Sequence, residues 1–346
     1  MRVNHFFFSK VKESPLRKLL LALSESDLKI LPIHGAVFYA NESDSYQAPR
    51  NMKYSFLFIV IFFLCSCNSA PAKKEDATVL LAAEKTSDTY KYDVGKPEKK
   101  WTLPSDLLEI SGIAWIDNSH LLAIEDIRPD LYLLRLDNSV VVEKKIPFHK
   151  TSKQKFDIED VTVVGNTAYA LYSHGKIFKV DNWRDKPAVK EISTFLTKDN
   201  NTEGICFDPA SNTLLVSCKN ASDVEDEKKS TRAVYKFDVK GDSLEPTPYI
   251  LIHKKDISKM GGEKLDFYPS AIAVHPKTND IYILSTKGTK ALAQYTHAGE
   301  LKAVQLLDAN LLPQPEGICF SPEGVMYIST EAKHGSPAAI YQFNSK

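Results

Sequence analysis

Ile110-Ser111-Gly112-Ile113-Ala114 opens a phrase that the chain repeats as Ile158-Glu159-Asp160-Val161-Thr162, Thr202-Glu203-Gly204-Ile205-Cys206, Pro269-Ser270-Ala271-Ile272-Ala273 and Pro315-Glu316-Gly317-Ile318-Cys319. Each copy begins a short apolar stretch, followed by a turn, a second strand and usually a third. Measured from the second residue of each copy, the steps are 48, 44, 67 and 46 residues. A period of roughly 40–50 residues carrying several short strands marks a radial repeat, one blade per unit. The sequence therefore predicts an all-β chain forming a single β-propeller of about five four-stranded blades.

Turn chemistry separates the first two strands of each unit: Asp117-Asn118, Gly165-Asn166, Asp208-Pro209-Ala210-Ser211-Asn212, His275–Asp280 and Ser321-Pro322-Glu323-Gly324. Third strands are predicted over Leu131–Leu136, Lys176–Val180, Ala233–Val239, Ala291–Thr296 and Ala338–Phe343. Outer strands follow over Val140–Ile146, Ala188–Phe195, Tyr249–His253 and Leu301–Leu306. The last unit has none, and the strand-like Pro97–Leu103 ahead of the first unit is predicted to take that place and close the ring. The long step from Glu203 to Ser270 holds an acidic loop, Asp223–Glu227, and a polar connection, Asp256–Asp266, both read as insertions. Six blades, with a degenerate unit in that interval, is the alternative. A helical solenoid is excluded by the lack of a sustained 3.6-residue apolar period, and an eight-stranded sandwich leaves the five recurrences unexplained.

Upstream, Met52–Cys67 combines one Lys, an apolar run and small residues before a Cys, the pattern of a secretory signal peptide. The apolar run falls short of the roughly 17–25 residues of a spanning helix. Its end, Leu64-Cys65-Ser66-Cys67, resembles a bacterial lipobox with Cys67 as the acylated residue; Cys65 would put Phe62 at the Leu position. This reading starts translation at Met52 and leaves residues 1–51 outside the protein proper; the alternative is an extension that makes the segment an uncleaved anchor. Residues 68–96, polar and poor in bulky apolar side chains, are predicted to be a flexible tether. Within it, Lys73-Lys74-Glu75-Asp76 resembles the tag that sends some lipoproteins to the cell surface, or is simply a solvated charge run. The expectation is an exported lipoprotein of the outer membrane, on its periplasmic or surface face, with its propeller over 97–346.

The 44 basic and 44 acidic residues balance to zero, so no global field draws in nucleic acid. Past the signal segment only Cys206, Cys218 and Cys319 remain, no disulfide framework and no Cys-x-x-Cys site. Cys206 and Cys319 hold the same apolar place in two repeats and read as packing residues. Trp115, Tyr172 and Tyr327 on the predicted strands read the same way.

In a propeller the first strand of each blade lies innermost, so Ser111, Glu159, Glu203, Ser270 and Glu316 should ring one mouth of the channel. Behind them come the second-strand ends: Glu125-Asp126, Ser173-His174, Lys219-Asn220, Thr286-Lys287 and Thr330-Glu331. Three carboxylates facing a narrow channel repel one another and need a cation or protons. Calcium suits a flexible ring of oxygen donors better than octahedral magnesium does. Two other readings stay open: an ion-pair network with Lys219 and Lys287, or glutamates that tie adjacent blades by accepting backbone N–H groups. The acidic loop Asp223–Glu227 is a further place for a cation, or a solvated loop.

Glu-Ile-Ser-Gly-Ile-Ala at 109–114, Asp-Ile-Glu-Asp-Val at 157–161, Thr-Glu-Gly-Ile at 202–205 and Gln-Pro-Glu-Gly-Ile at 314–318, the last running on to Glu331, together resemble the SdiA-regulated family over about residues 97–344. The resemblance implies a five-bladed propeller distantly related to NHL repeats, and a bound calcium ion. Glu159, Glu203 and Glu316 would face that ion, with Glu331 as a helper. It implies no particular activity. Gly-x-Ser-x-Gly, His-Glu-x-x-His and phosphate-cradling glycine loops are missing. His174 and His334 are the candidates for a base beside a calcium-polarised carbonyl, as in lactonase or phytase-like propellers. The sequence favours a lipid-anchored, calcium-binding scaffold that receives a protein or small molecule at the channel mouth, with a calcium-dependent hydrolase as the alternative.

Overall fold

The computed structural model describes residues 91–150, 156–222, 229–333 and 335–346. The signal segment with Cys67, most of the tether, the loop Asp223–Glu227 and His334 lie outside the described residues.

Five antiparallel sheets form the blades. Blade one is β2 (Ile110–Asp117), β3 (His120–Glu125), β4 (Asp130–Leu136) and β5 (Val140–Pro147). Blade two is β6 (Ile158–Val164), β7 (Thr167–Tyr172), β8 (Ile177–Asp181) and β9 (Ala188–Ile192). Blade three runs β10 (Thr202–Asp208), β11 (Thr213–Cys218) and β12 (Thr231–Asp238), with its outer edge split into β13 (Ser243–Leu244) and β14 (Ile250–His253), both on β12. Blade four is β15 (Pro269–Val274), β16 (Ile281–Ser285), β17 (Ala291–Tyr295) and β18 (Leu301–Leu306). Blade five takes β19 (Pro315–Phe320), β20 (Met326–Thr330) and β21 (Ala339–Phe343) from the end of the chain and β1 (Lys99–Thr102) from its other side. Lys99 faces Gln342 and Thr102 faces Ala339 across that seam, so the early strand closes the ring where the sequence placed it. The inner strands contact one another in the cycle β2, β6, β10, β15, β19 and back to β2.

Alternation along the strands explains why the blades stack. In β3, Leu122 and Ile124 pack toward blade two, while Leu121 and Ala123 pack toward blade five. Each of the five blade junctions holds one such apolar cluster. A sheet buried on both faces needs apolar residues at successive positions, which the inner and second strands supply. The outer strands differ: β9 is exposed at four of its five residues, whereas β14, beside the insertion, buries Ile250 and Ile252.

The long third interval is an insertion and not a sixth blade. It contains the split outer edge and a helix, α1 (Lys254–Gly261), ended by Gly262 in the left-handed conformation at φ 81°. One buried side chain, Ile257, anchors this helix, too few apolar residues to show a period in the sequence. The propeller also begins earlier than the sequence reading put it. Tyr92 and Val94, assigned there to the tether, are buried against blades four and five. Tyr92 bridges to Ser345, and its hydroxyl meets the Nε2 of buried His275 at 2.9 Å. Burial holds that imidazole neutral, its pKa pushed down to about 4.

Candidate functional site at the channel mouth

The second residue of the repeated phrase sits at an irregularity in every blade. Thr202 faces Cys218 and Gly204 faces Ser217, which leaves Glu203 without a ladder partner. The same slip isolates Glu159, Ser270 and Glu316, and a wider one in blade one spans Ser111 and Gly112. A bulge puts one extra residue on its strand and re-aims that residue's side chain. The Gly that follows has its own reason. A Cβ at Gly317 would lie 2.7 Å from the Ser111 carbonyl oxygen and 3.0 Å from the Ile113 nitrogen, and one at Gly204 would lie 2.9 Å from the Ile272 nitrogen. Adjacent inner strands approach too closely there for any side chain.

The bulged glutamates lie close enough for their charges to act on one another. Glu203 and Glu316 are 3% and 8% exposed, Glu331 is 9% exposed, and Glu159 is half-buried. Desolvation pushes the Glu159 carboxyl well above its usual value, and the charges of Glu203, Asp157 and Glu316 push it further. Burial does the same to Glu316, with Glu331 and Glu203 adding to the rise. Glu203 is raised to about 7 by burial, against the pull of Lys219. Glu331 is raised to about 8, by burial first and then by Glu109 and Asp126. Lys219 stands among them: its Nζ donates to Glu203 Oε1 at 2.8 Å, and its charge is felt by all four glutamates. Asn201 also donates to Glu203, and Gln314 donates to Glu331.

Of the alternatives raised by the sequence, the ion-pair network is present in part. Lys219 belongs to it. Lys287 does not; its ammonium lies over the Tyr268 ring instead. The tie between blades is made by Asp160, the neighbour of Glu159. Asp160 Oδ2 accepts the Ile205 N–H at 2.8 Å and Oδ1 accepts the Val161 N–H at 2.8 Å. Sequence reasoning passed over Asp160 because it stands where three other copies carry Gly and one carries Ala. Ser270 Oγ donates to the Pro315 carbonyl at 2.9 Å, so that hydroxyl serves the scaffold.

Carboxylate oxygens in excess over ammonium groups suit a hard divalent cation in kind and charge. As the side chains stand, no group of three or more His, Cys, Asp or Glu among the described residues converges closely enough to hold a metal. His174 is exposed and packs its ring against Tyr172, with centroids 5.0 Å apart.

Below the glutamates the channel changes character. A cavity of about 150 Å³ is lined by three successive residues from each inner strand, among them Ile205-Cys206-Phe207 and Ile318-Cys319-Phe320. Both thiols are buried and raised well above their usual pKa by desolvation, so they are inert.

A family model described as SdiA-regulated matches residues 86–344. Among solved structures, a glutaminyl cyclase from Myxococcus xanthus is similar at 13% identity and a TM-score of 0.49, over 72% of this chain and 97% of that one. The PQQ-bound aldose sugar dehydrogenase of Streptomyces coelicolor gives 11% identity and 0.45, over 72% and 98%. A protein of unknown function from Bacteroides thetaiotaomicron gives 15% and 0.44, over 73% and 74%. At such identities the chemistry of these proteins does not transfer. A search of curated proteins finds no match.

Proposed function

The chain belongs to the SdiA-regulated family, and from that premise we propose that its propeller is a calcium-binding recognition module, held at the outer membrane by a lipid on Cys67. The observation that carries the reading is the charge at the mouth. Four glutamates are held above the usual carboxylate range, and among the described residues Lys219 is the one ammonium whose charge acts strongly on all four. A calcium ion would supply the missing positive charge to Glu159, Glu203 and Glu316, with Glu331 completing the oxygen donors. The bound ion would present an open coordination face to a protein or small molecule at the channel mouth. The lipid anchor rests on Leu64-Cys65-Ser66-Cys67 alone.

Calcium titration of thermal stability tests the site. A ligand at 100 times its Kd stabilises by about 2.7 kcal/mol, which for a domain of this size raises Tm by roughly 5–10 °C. Glu203→Gln and Glu316→Gln should lose most of that rise. If calcium leaves Tm unchanged and no metal co-purifies, Lys219 is the counter-ion and the reading fails. For the anchor, Cys67→Ala should move the protein from the membrane fraction to the soluble fraction.

A further inference from the structure

Beside the acidic mouth, on the same side of the propeller, three cations lie against one aromatic ring, that of Tyr268. The Arg232 guanidinium lies 4.9 Å from the centroid of the Tyr268 ring, Lys254 Nζ lies 4.7 Å from it and Lys287 Nζ 5.4 Å. Arg232 stands at the start of β12, Lys254 directly follows β14, and Lys287 lies two residues past β16. Thr231 pairs with His253 and Ser285 with Pro269, so these strand ends meet at the mouth side, next to Ser270.

Within the described structure this cluster is balanced only in part: the Tyr268 side chain hydrogen-bonds Arg232, and the charge of Asp266 acts on it. Arg232 is 5% exposed; its Nη1 donates to the Thr231 carbonyl at 2.7 Å, and its Nε is buried with no partner. Asp266, the one carboxylate among the strongest influences on Arg232, is exposed and forms no ion pair with it among the described residues. Lys254 and Lys287 likewise form no ion pair among the described residues, in contrast to Lys219 and Lys302. Three charges this close to one centroid lie within about a Debye length of each other, so they repel with little screening. Contact with the ring returns only about 0.5–1 kcal/mol for each exposed cation. A buried guanidinium with an unsatisfied N–H is costly unless something completes it.

Helix α1 adds to the positive field. Its first residue is Lys254, and its N-cap, His253, makes no side-chain cap. The first-turn N–H groups of a helix attract anions. Asp256 lies in that turn, and its charge is felt by Tyr295 in the neighbouring sheet.

The geometry points to an oxyanion site on the mouth-side rim between blades three and four, where Arg232, Lys254 and Lys287 around Tyr268 take a phosphate group carried by a small ligand. A dianion matches three cations gathered at one ring better than a single carboxylate does, and both guanidinium and ammonium groups are established phosphate binders. The site is independent of the calcium reading, since it shares no residue with the carboxylate ring.

The test is calorimetry and thermal shift on the folded chain in EDTA, titrating inorganic phosphate and, separately, glycerol phosphate at constant ionic strength against chloride. Saturable binding with a higher Tm is expected, and the paired change Lys254→Gln/Lys287→Gln should weaken it at least tenfold. Those ammonium groups are not fully buried, so this variant stays folded where Arg232→Gln could fail. Tighter binding of glycerol phosphate identifies a ligand-borne phosphate, and equal binding a free anion; both support the site. No saturable response, or one unchanged in the paired variant, overturns it. So does a response that appears only after Asp223, Glu225, Asp226 and Glu227 are changed to their amides, because the counter-ion is then the chain's own loop. Working in EDTA keeps failure of this site distinct from failure of the cation site.

Discussion

The first residues of the inner strands and the residues just below them lie in the same five strands, yet they behave oppositely. At the mouth the ladder slips in every blade and the freed position carries Glu or Ser. A few residues further in, the register is regular in four of the five blades and the channel wall is mostly apolar. Regular pairing with matched side chains serves packing. Irregular pairing that buries charge works against stability and marks the place where the fold serves something else.

The largest effect expected from testing this contrast is at Asp160. Asp160→Ala leaves two buried N–H groups between blades two and three without an acceptor and should cost about 3 kcal/mol in urea denaturation. Glu159→Gln, one residue away, should be neutral or stabilising in EDTA. Equal losses at the two positions would break the distinction between scaffold and site.

Next in size is the pH profile. Glu203 titrates near 7 in the folded chain and near its ordinary 4.5 when unfolded. Between those values the folded state binds more protons, so stability falls as pH rises from about 4.5 to 7. Glu331 extends the decline to about 8. Glu203→Gln should remove on the order of 2 kcal/mol of that decline. A profile unchanged by the substitution would mean that the carboxyl is not held in its raised state.

The smallest effect belongs to the floor. Cys206→Ala removes an atom from a wall that already borders a cavity, and should cost about 1 kcal/mol or less. A loss several times larger would show the floor to be as tightly constrained as the Asp160 tie.

The apolar half of the repeated phrase was enough to locate the blades, because a doubly buried strand imposes its pattern on sequence. The closing strand could be found because one unit lacked a partner. Bulges left no such trace, since a slip of one residue changes which atoms pair and not which residues are used. Helix α1 was hidden because Ile257 alone holds it down. Tyr92 was hidden because its partners, His275, Tyr282 and Phe320, lie far along the chain. The glutamates could be read from their recurrence, whereas Arg232, Lys254 and Lys287 belong to no repeat and meet only through the fold.

The seam between β1 and β21 also sets an order of events. Strand pairing that joins Lys99–Thr102 to Ala339–Gln342 spans nearly the whole domain in sequence. Contacts of such long range form late, after the entropy of closing the loop has been overcome. Four blades can assemble as the chain emerges, but blade five stays an open three-stranded sheet until its first strand returns to it. Until then Ser111 and Glu316 belong to the two free ends of an arc. The carboxylate ring is therefore a property of the finished molecule, and any cation it holds would arrive after folding and latch a ring already shut.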